Sequence, residues 1–307
     1  MGTYITLTAY GDNAENALEA SEDKLTELES FWSATTEDSD IYQINQNGEM
    51  ETVVHEETAE ILRFALKMAE RTDGVIDPTI SPVISAWGFI SREYHVPSEE
   101  EIEELLRLVD YHKVKLDGNR VSLPEEMQLD LGAFGKGYAG DILTELLKSK
   151  GVTSALLDIG GNIQMVGNKS DGSPWRLGIK NPFGDESIGV LEVGDCAVVT
   201  SGNYERYFTD DDGTVYGHII DPATGYPAES GLVAVTIIAQ EGKYCDALST
   251  ALYVMGAEEA IHFWQEHGDF NMLLITAAGD VYITSGIADD FSLSDMYSNR
   301  KIYVVEK

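Results

Sequence analysis

The sequence is poor in cysteine, in basic residues and in long apolar runs. Its two cysteines, Cys196 and Cys245, are too few for a disulfide scaffold and show neither zinc-ligand nor CxxC spacing. Lysine and arginine together number 20 against 54 acidic residues, which gives a formal net charge of −34. Such a field repels nucleic acid and anionic lipid, so we expect neither as a partner. No apolar run is long enough to span a bilayer, and the first residues do not follow the charged-then-apolar pattern of a signal segment, so we expect neither feature in this sequence.

The composition is that of a folded soluble protein, with 43% hydrophobic and 24% charged residues among 307. Helical and strand patterns are mixed without strict alternation. This predicts an α+β architecture, a mixed sheet with helices packed on it. Because no linker or repeat interrupts the chain, we expect a single domain over residues 1–307.

Local patterns predict individual elements. Continuous apolar runs predict strands at 154–159 and 232–239, and Asp117-Gly118 has the composition of a hairpin turn. A capping box, Ser98 with Glu101, predicts a helix start. The polar-flanked segment 39–45 is predicted as a loop, and a helix is expected near 246–254.

Residues 129–141, LDLGAFGKGYAGD, are interpreted as a strand end, a glycine-rich turn and a helix. A helix N-terminus behind such a turn favours an anion, with Lys136 placed to meet a phosphate and Asp130 a metal or a ribose hydroxyl. The spacing matches neither the phosphate-loop nor the dinucleotide fingerprint. A tight turn that needs glycine only for packing explains the pattern equally well.

Two further stretches carry candidate chemistry. Asp246 and Thr250 are four residues apart on a predicted helix, so their oxygens share one face and suit a hard cation such as Mg²⁺. A helix cap is the alternative for Asp246. His218 stands at a strand end, where a histidine can act as a general base, although a lone histidine is more often structural.

Together these motifs resemble the ApbE family of FAD:protein FMN transferases over nearly the whole chain. The matching segments are MGT (from residue 1), SDIYQIN (39), GVIDPTISPVISAWGF (74), LDLGAFGKGYAGD (129), LLDIGGNI (156), VVTSGNYERYF (198), GHIIDPATGYP (217) and DALSTALYVMG (246).

The resemblance implies a Mg²⁺-dependent enzyme that moves FMN from FAD onto a threonine or serine of a target flavoprotein and releases AMP. It implies metal ligation by Ala133, through its backbone oxygen, and by Asp246 and Thr250. His218 would accept the proton of the acceptor hydroxyl. Mn²⁺ is possible as well, since both ions take oxygen ligands. The implied flavin and adenine contacts are Met1, Val75, Ile76, Asp77, Asp130, Lys136 and Ile220.

Two departures from the family pattern leave alternatives open. Family members often have an aromatic residue or asparagine where this chain has Thr35, a position that bears on FMN transfer against hydrolysis of FAD to FMN and AMP. An FAD pyrophosphatase is therefore one alternative. A non-catalytic FAD-binding protein is another, but it would need neither the Asp246/Thr250 pair nor His218.

The second departure concerns location. Family members are usually exported, often as lipoproteins, whereas this chain begins at the MGT motif. We expect a trimmed chain that acts on the extracytoplasmic side of a bacterial cell envelope, tied to the membrane only by a lipid anchor absent here. A cytoplasmic protein or an excised domain is the alternative. The expected acceptor has an exposed threonine or serine, as in a subunit of a redox pump or an extracytoplasmic electron-transfer chain.

Overall fold

The computed structural model of the protein describes residues 3–307, which divide into two compact units. The first unit comprises Leu25–Gly135 and Glu205–Ala228, and the second comprises 3–24, Lys136–Tyr204 and Glu229–Lys307. Each unit is assembled from separate segments, so neither is a continuous stretch of sequence. The single domain over 1–307 stays a prediction.

The strands of residues 3–307 are short to medium in length. They are β1 (Ile5–Tyr10), β2 (Thr52–Val53), β3 (Lys115–Asp117), β4 (Arg120–Ser122), β5 (Ser154–Ile159), β6 (Asn162–Val166), β7 (Trp175–Lys180), β8 (Ser187–Val193), β9 (Ala197–Ser201), β10 (Tyr207–Thr209), β11 (Val215–Gly217), β12 (Leu232–Ala239), β13 (Asn271–Thr276), β14 (Val281–Thr284), β15 (Phe291–Leu293) and β16 (Ile302–Val305). The α-helices are α1 (Ala14–Trp32), α2 (Asp40–Asn47), α3 (Glu56–Arg71), α4 (Ser81–Ala86), α5 (Glu99–Leu106), α6 (Gly135–Ser149), α7 (Gly242–Met255) and α8 (Ala257–His267). None of the helices described here is long and apolar enough to cross a membrane.

An eight-stranded sheet organises the second unit, in the spatial order β1-β5-β6-β9-β12-β13-β14-β16. Neighbouring strands are antiparallel except β14 and β16, which are parallel, so the sheet is mixed. A separate three-stranded sheet, β15-β8-β7, belongs to the same unit. The predicted α+β fold with a mixed sheet is confirmed.

Strand β12 shows why its sequence is apolar on both faces. Ala234 and Ile238 pack in one core cluster with Leu177 and Leu191 of the three-stranded sheet. Successive side chains of a strand point to opposite faces, so Val235 and Ile237 face the other side, where α7 contacts β12 and β9. A strand that is covered on both faces must be apolar at nearly every position.

The first unit contains α2–α5 and two small sheets, β2-β4-β3 and β10-β11. Its apolar cluster includes Trp87, Phe89 and Ile220. The indole N–H of Trp87 donates to the carbonyl of Gly225 at 2.8 Å, which satisfies the polar atom of a fully buried ring. The predicted cap is confirmed, since the Ser98 hydroxyl accepts from the N–H of Glu101 at 3.2 Å.

Two local predictions in the first unit are wrong. The segment 39–45 is not a loop, because α2 begins at Asp40 after Ser39, whose hydroxyl accepts from the N–H of Tyr42 at 3.2 Å. Ile41 and Ile44 then fall on one buried face, which stabilises so short a helix. The hairpin turn lies between β3 and β4 at 118–119, one residue later than predicted, with Gly118 at φ +58°.

Candidate active site

Asp246 is a buried carboxylate in the second turn of α7, with 3% of its surface exposed. Its Oδ2 accepts from the N–H of Gly137 at 2.9 Å, and its Oδ1 lies 3.1 Å from the Nζ of Lys136. A buried carboxylate is tolerated only with such partners. The prediction that the helix starts near 246 is wrong, because α7 begins four residues earlier, at Gly242. Asp246 therefore does not cap its own helix but the first turn of α6.

Three hydroxyl groups surround the helical turn that follows Asp246. The Ser249 hydroxyl donates to the Asp246 carbonyl at 3.0 Å, and Thr250 Oγ1 lies 3.4 Å from the same oxygen. Ser201 Oγ lies 2.8 Å from Ser249 Oγ and 3.4 Å from Thr250 Oγ1. Sequence reasoning selected Thr250 but missed Ser201 and Ser249 as site residues. The only sequence signals for them were the small-residue turn after β9 and the DALST motif.

This donor set fits a hard divalent cation by its chemistry. A carboxylate with neighbouring hydroxyl and carbonyl oxygens is the kind of environment that Mg²⁺ accepts when phosphate oxygens and water complete the shell. Within residues 3–307, no three His, Cys, Asp or Glu side chains are grouped so as to hold a metal. A metal at Asp246 would therefore depend on neutral oxygens and on substrate, as in an enzyme that binds a metal–phosphate pair.

Two glycines allow close backbone packing beneath Asp246. A Cβ on Gly137 would lie 2.2 Å from the carbonyl oxygen of Gly242 and 2.7 Å from the Cβ of Asp246. A Cβ on Gly242 would lie 1.6 Å from Nε2 of Gln164. That Nε2 donates to the carbonyl of Gly137 at 2.9 Å and links α6 to β6. The glycine at position 137 is thus required for packing, as one interpretation of the motif held.

Asp141 lies one turn further along α6, and its carboxylate accepts two backbone N–H groups of α7. Oδ1 accepts from Gly242 at 2.5 Å and Oδ2 from Lys243 at 3.0 Å. Burial raises the pKa of Asp141 to about 7. The two hydrogen bonds and the Lys243 ammonium lower this pKa, and the nearby Glu241 carboxylate raises it. Sequence reasoning did not select Asp141.

In the first unit, Asp77 organises the loop that follows α3. Its Oδ1 accepts from the N–H and the hydroxyl of Thr79 at 2.8 and 2.6 Å, and its Oδ2 accepts from the N–H of Tyr111 at 3.0 Å. The Thr79 hydroxyl accepts in turn from the N–H of Asp110 at 2.9 Å. Burial raises the pKa of Asp77, and these hydrogen bonds oppose the rise. The carboxylate fixes the backbone of residues 77–79 and 110–111.

Asp130 and Ala133 lie in the turn before α6. The N–H of Asp130 donates to the carbonyl of Pro78 at 2.8 Å, and its Oδ1 accepts from the N–H of Gly132 at 2.7 Å. Ala133 is half-buried between Gly132 and Phe134. Ala133 belongs to the first unit and Asp246 and Thr250 to the second, so ligation by all three stays a prediction.

The remaining predicted flavin contacts occupy different environments. Ile76 and Ile220 are buried, at 4% and 7% exposure, whereas Val75 is half-buried. Ile220 packs in the cluster with Trp87. Met1 lies outside the described residues. Thr35 is exposed, and its N–H lies 3.3 Å from the hydroxyl of Ser33. These contacts also stay predictions.

His218 directly follows strand β11. Its backbone N–H donates to the carbonyl of Arg206 at 3.0 Å, and its Nδ1 lies 3.0 Å from the same oxygen. Because a carbonyl oxygen only accepts, Nδ1 must carry the proton, and in the neutral ring Nε2 carries the lone pair. The imidazole and the Phe89 ring lie in a T-shaped arrangement, with 6.4 Å between ring centroids. This half-buried imidazole is held in the tautomer that a general base at Nε2 requires.

Most of the sequence is similar to proteins of one known family. The model of the ApbE family matches residues 1–274. The chain belongs to the ApbE family. The FAD:protein FMN transferase of Treponema pallidum is 35% identical over 290 residues, covering 88% of this chain and 80% of that protein. The one from Vibrio cholerae is 34% identical over 244 residues, covering 77% and 72%.

Solved structures agree with this assignment. The crystal structure of the ApbE protein from Thermotoga maritima superposes with a TM-score of 0.85 at 33% identity, covering 96% of this chain and 95% of that one. The flavin transferase ApbE from Vibrio cholerae gives a TM-score of 0.85 at 28% identity, covering 94% and 96%. The family resemblance, the fold and the assignment to the transferases are thereby confirmed.

Proposed function

We propose that this ApbE-family member transfers FMN from FAD to a threonine or serine hydroxyl of a target flavoprotein, in a Mg²⁺-dependent reaction that releases AMP. The observation that carries the proposal is the buried Asp246 carboxylate, which stands beside Lys136 and a cluster of three hydroxyl groups. The FMN-transferase names of the relatives support the same chemistry.

The bond changes follow from the substrates. The acceptor hydroxyl oxygen attacks the FMN phosphorus of the FAD pyrophosphate, a new phosphoester P–O bond forms, and the P–O bond to AMP breaks. His218 Nε2 takes the hydroxyl proton, since the Nδ1–H is directed to the Arg206 carbonyl. AMP leaves with the bridging oxygen. When bound, Mg²⁺ would neutralise negative charge on the pyrophosphate. Charge neutralisation and positioning are the main requirements of catalysis in phosphoryl transfer.

Lys136 provides local positive charge in a protein of strongly negative net charge. A protein of net charge −34 repels an anionic dinucleotide, so the binding region needs local positive charge. The side chain of Lys136 is 29% exposed and lies in the first turn of α6, where the positive end of the helix dipole adds to its charge. Its pairing with Asp246 keeps the ammonium at this position. We propose that Lys136 contacts the pyrophosphate of FAD.

The proposed set of interacting residues is the one that the family resemblance implies. Ala133, Asp246 and Thr250 would hold Mg²⁺, with Mn²⁺ as a possible substitute. The seven positions named for flavin and adenine would bind FAD. Asp77 would contribute through the loop backbone that its carboxylate fixes, because both of its carboxylate oxygens accept hydrogen bonds from protein groups.

Mass spectrometry of an acceptor tests the proposal. A flavoprotein domain with an exposed threonine is incubated with this protein, FAD and MgCl₂, with and without EDTA, and the same domain with that threonine replaced by alanine is the control. We expect a mass gain of one FMN phosphoester that both EDTA and the alanine replacement abolish. Accumulation of AMP and free FMN with no gain on the acceptor would instead establish an FAD pyrophosphatase.

The location and the acceptor class are proposed from the family resemblance alone. We propose action on the extracytoplasmic side of a bacterial envelope, on a subunit of a redox pump or an electron-transfer chain. Fractionation of the producing cells, with immunodetection of this protein and of FMN-bearing proteins, tests both points. Detection of both only in the cytoplasmic fraction would contradict the proposal.

A further inference from the structure

Helix α7 lacks a cap of its own. Glu241 occupies the N-cap position, and its side chain makes no capping hydrogen bond. The first two N–H groups of the helix, those of Gly242 and Lys243, donate instead to the two carboxylate oxygens of Asp141. Unsatisfied N–H groups at a helix start must find an acceptor, and here the acceptor comes from α6.

The capping bonds form two successive levels between the helices. Asp141 is one turn after Gly137 on α6, and Gly242 is one turn before Asp246 on α7. Residues four apart lie on one helix face. At one level the Asp141 carboxylate accepts from the first turn of α7, and at the other the Asp246 carboxylate accepts from Gly137 in the first turn of α6. Each helix therefore caps the other.

The two helices approach most closely through glycine between these levels, with the Lys243 ammonium 5.6 Å from the centre of the Tyr138 ring beside them. Gly137 and Gly242 meet there, and a Cβ on either would collide with the other backbone or with Gln164. A glycine has no side chain that could interlock with the other helix, so the glycine contact by itself does not fix the position of one helix along the other. Directional hydrogen bonds between the helices can fix that position, and Asp141 accepts two of them.

We propose that Asp141 is a positioning residue, which caps α7 from α6 and so holds the Asp246 carboxylate where it meets Lys136 and the Mg²⁺ of the reaction. The part that concerns Mg²⁺ rests on the proposed function. A helical turn is stiff. Hydrogen bonds that fix the N–H groups of Gly242 and Lys243 therefore also fix the position of Asp246 along the helix axis, one turn later. The hydrogen bonds of Asp141 go to Gly242 and Lys243, so Asp141 acts on Asp246 through the helix.

The test compares Asp141→Ala and Asp141→Asn with the wild-type protein. Asp195→Ala is the matched control, because Asp195 is also an aspartate bonded to α6, through Lys148 at 3.0 Å, but its side chain is 47% exposed. Three quantities are measured: amide hydrogen exchange of residues 241–250 without metal, the rise in melting temperature on addition of MgCl₂, and the Mg²⁺ concentration for half-maximal AMP release from FAD.

For Asp141→Ala we expect faster exchange over 241–250, a smaller Mg²⁺-induced thermal shift, and a half-saturating Mg²⁺ concentration raised about 10–100-fold, as for loss of a residue that orients a metal ligand. The AMP release rate at saturating Mg²⁺ should recover towards that of the wild type, which a loss of folded protein would not allow. Asp141→Asn keeps one acceptor oxygen and should give intermediate values. Asp195→Ala should match the wild type.

A folded Asp141→Ala protein with unchanged exchange, thermal shift and Mg²⁺ requirement would overturn the inference. If the alanine variant does not fold, the same criteria apply to Asp141→Asn. Failure of both to fold even in MgCl₂ would also overturn it, because Asp141 would then be a requirement of the core. If the wild type fails to modify an acceptor while exchange and thermal shift change as expected, the proposed function fails and the positioning role stands.

Discussion

Asp246 accepts the N–H of Gly137 at 2.9 Å, although the two residues are separated by 109 positions in the chain. One carboxylate thus joins two conspicuous motifs of the sequence, the glycine-rich turn and the DALST helix. Its other oxygen pairs with Lys136, the neighbour of Gly137. The arrangement keeps this negative charge buried between the two helices.

Replacement of Asp246 by asparagine should abolish metal-dependent chemistry without unfolding the protein. Asparagine keeps the side-chain volume and an oxygen for the Gly137 N–H, but it loses the charge that would bind Mg²⁺. We expect Mg²⁺-dependent AMP release to fall at least about 100-fold, the order seen when one preorganised electrostatic group is lost. AMP release over a Mg²⁺ series measures this, and circular dichroism checks the fold.

Asp195→Asn is the control for Asp246→Asn, because Asp195 pairs with Lys148 at the surface. That variant should retain wild-type release. Full Mg²⁺-dependent activity in Asp246→Asn would remove Asp246 from the metal site.

Two glycines of the same motif should respond in opposite ways to alanine. A Cβ on Gly137 would lie 2.2 Å from the carbonyl oxygen of Gly242, which is backbone and cannot move aside, whereas a Cβ on Gly135 has no atom within 4 Å. Overpacking of this kind costs about 1–3 kcal/mol of unfolding free energy, or more. Gly135→Ala should be neutral or stabilising by up to about 1 kcal/mol, since alanine favours a helix.

Urea unfolding of both glycine variants at one pH tests this contrast. Equal stabilities would show that the helices do not approach as closely as the structure describes.

The stability of the protein should carry a pH dependence that belongs to Asp141. Its pKa is about 7 in the folded protein against 3.8 ordinarily. The folded state therefore holds a proton that the unfolded state has lost between these values, and the stabilisation, complete below 3.8, is lost as the pH rises through about 7. The charges that act on this carboxyl are Lys243, which opposes the rise, and Glu241, which adds to it.

Urea midpoints of the wild type and of Asp141→Asn, measured from about pH 4 to about pH 8, test this dependence. Stability should decline more steeply in the wild type, because asparagine does not titrate. The general loss of stability with growing negative charge cancels in the difference between the two proteins. Parallel curves would contradict a raised pKa at Asp141.

Local sequence patterns predicted the elements whose signals lie within their own segments. The continuous apolar run of 232–239 became β12 with the same bounds, and the Ser98 cap starts α5 as expected. The start of α7 was misplaced because the acceptor of its N–H groups, Asp141, lies 101 residues from Gly242. When the capping residue is distant in the sequence, the residues near the helix start carry no signal of the cap.

The residues of the candidate site also fall into two groups, those that the sequence indicated and those that only the structure revealed. Asp246, Thr250 and Lys136 were selected from residue type, spacing and family resemblance, and the structure pairs Lys136 with Asp246. The contributions of Ser201 and Ser249 depend on β9 lying beside α7, which no local pattern specifies. Sequence therefore indicated the charged residues and Thr250, and only the fold showed that the hydroxyl groups of Ser201 and Ser249 lie beside them.

His218 should be needed for transfer and dispensable for FAD binding. His218→Gln keeps a hydrogen-bonding side chain near the Arg206 carbonyl but has no basic nitrogen to take the acceptor proton. We expect FMN transfer to the acceptor to fall about 10²–10⁴-fold, the usual contribution of a general base, with an unchanged Kd for FAD. Rapid-quench assays of the FMN–acceptor product and fluorescence titration of FAD give the two quantities.

His262→Gln provides the matched control for this test, because His262 is an exposed histidine that lies 3.7 Å from Glu266 on α8. It should transfer FMN at the wild-type rate. Raising the pH separates two explanations of a slow His218→Gln enzyme. If hydroxide restores transfer, the lost function is proton removal from the acceptor hydroxyl. If transfer stays low and the Kd for FAD rises, His218 holds the flavin rather than the proton, and the general-base role is wrong.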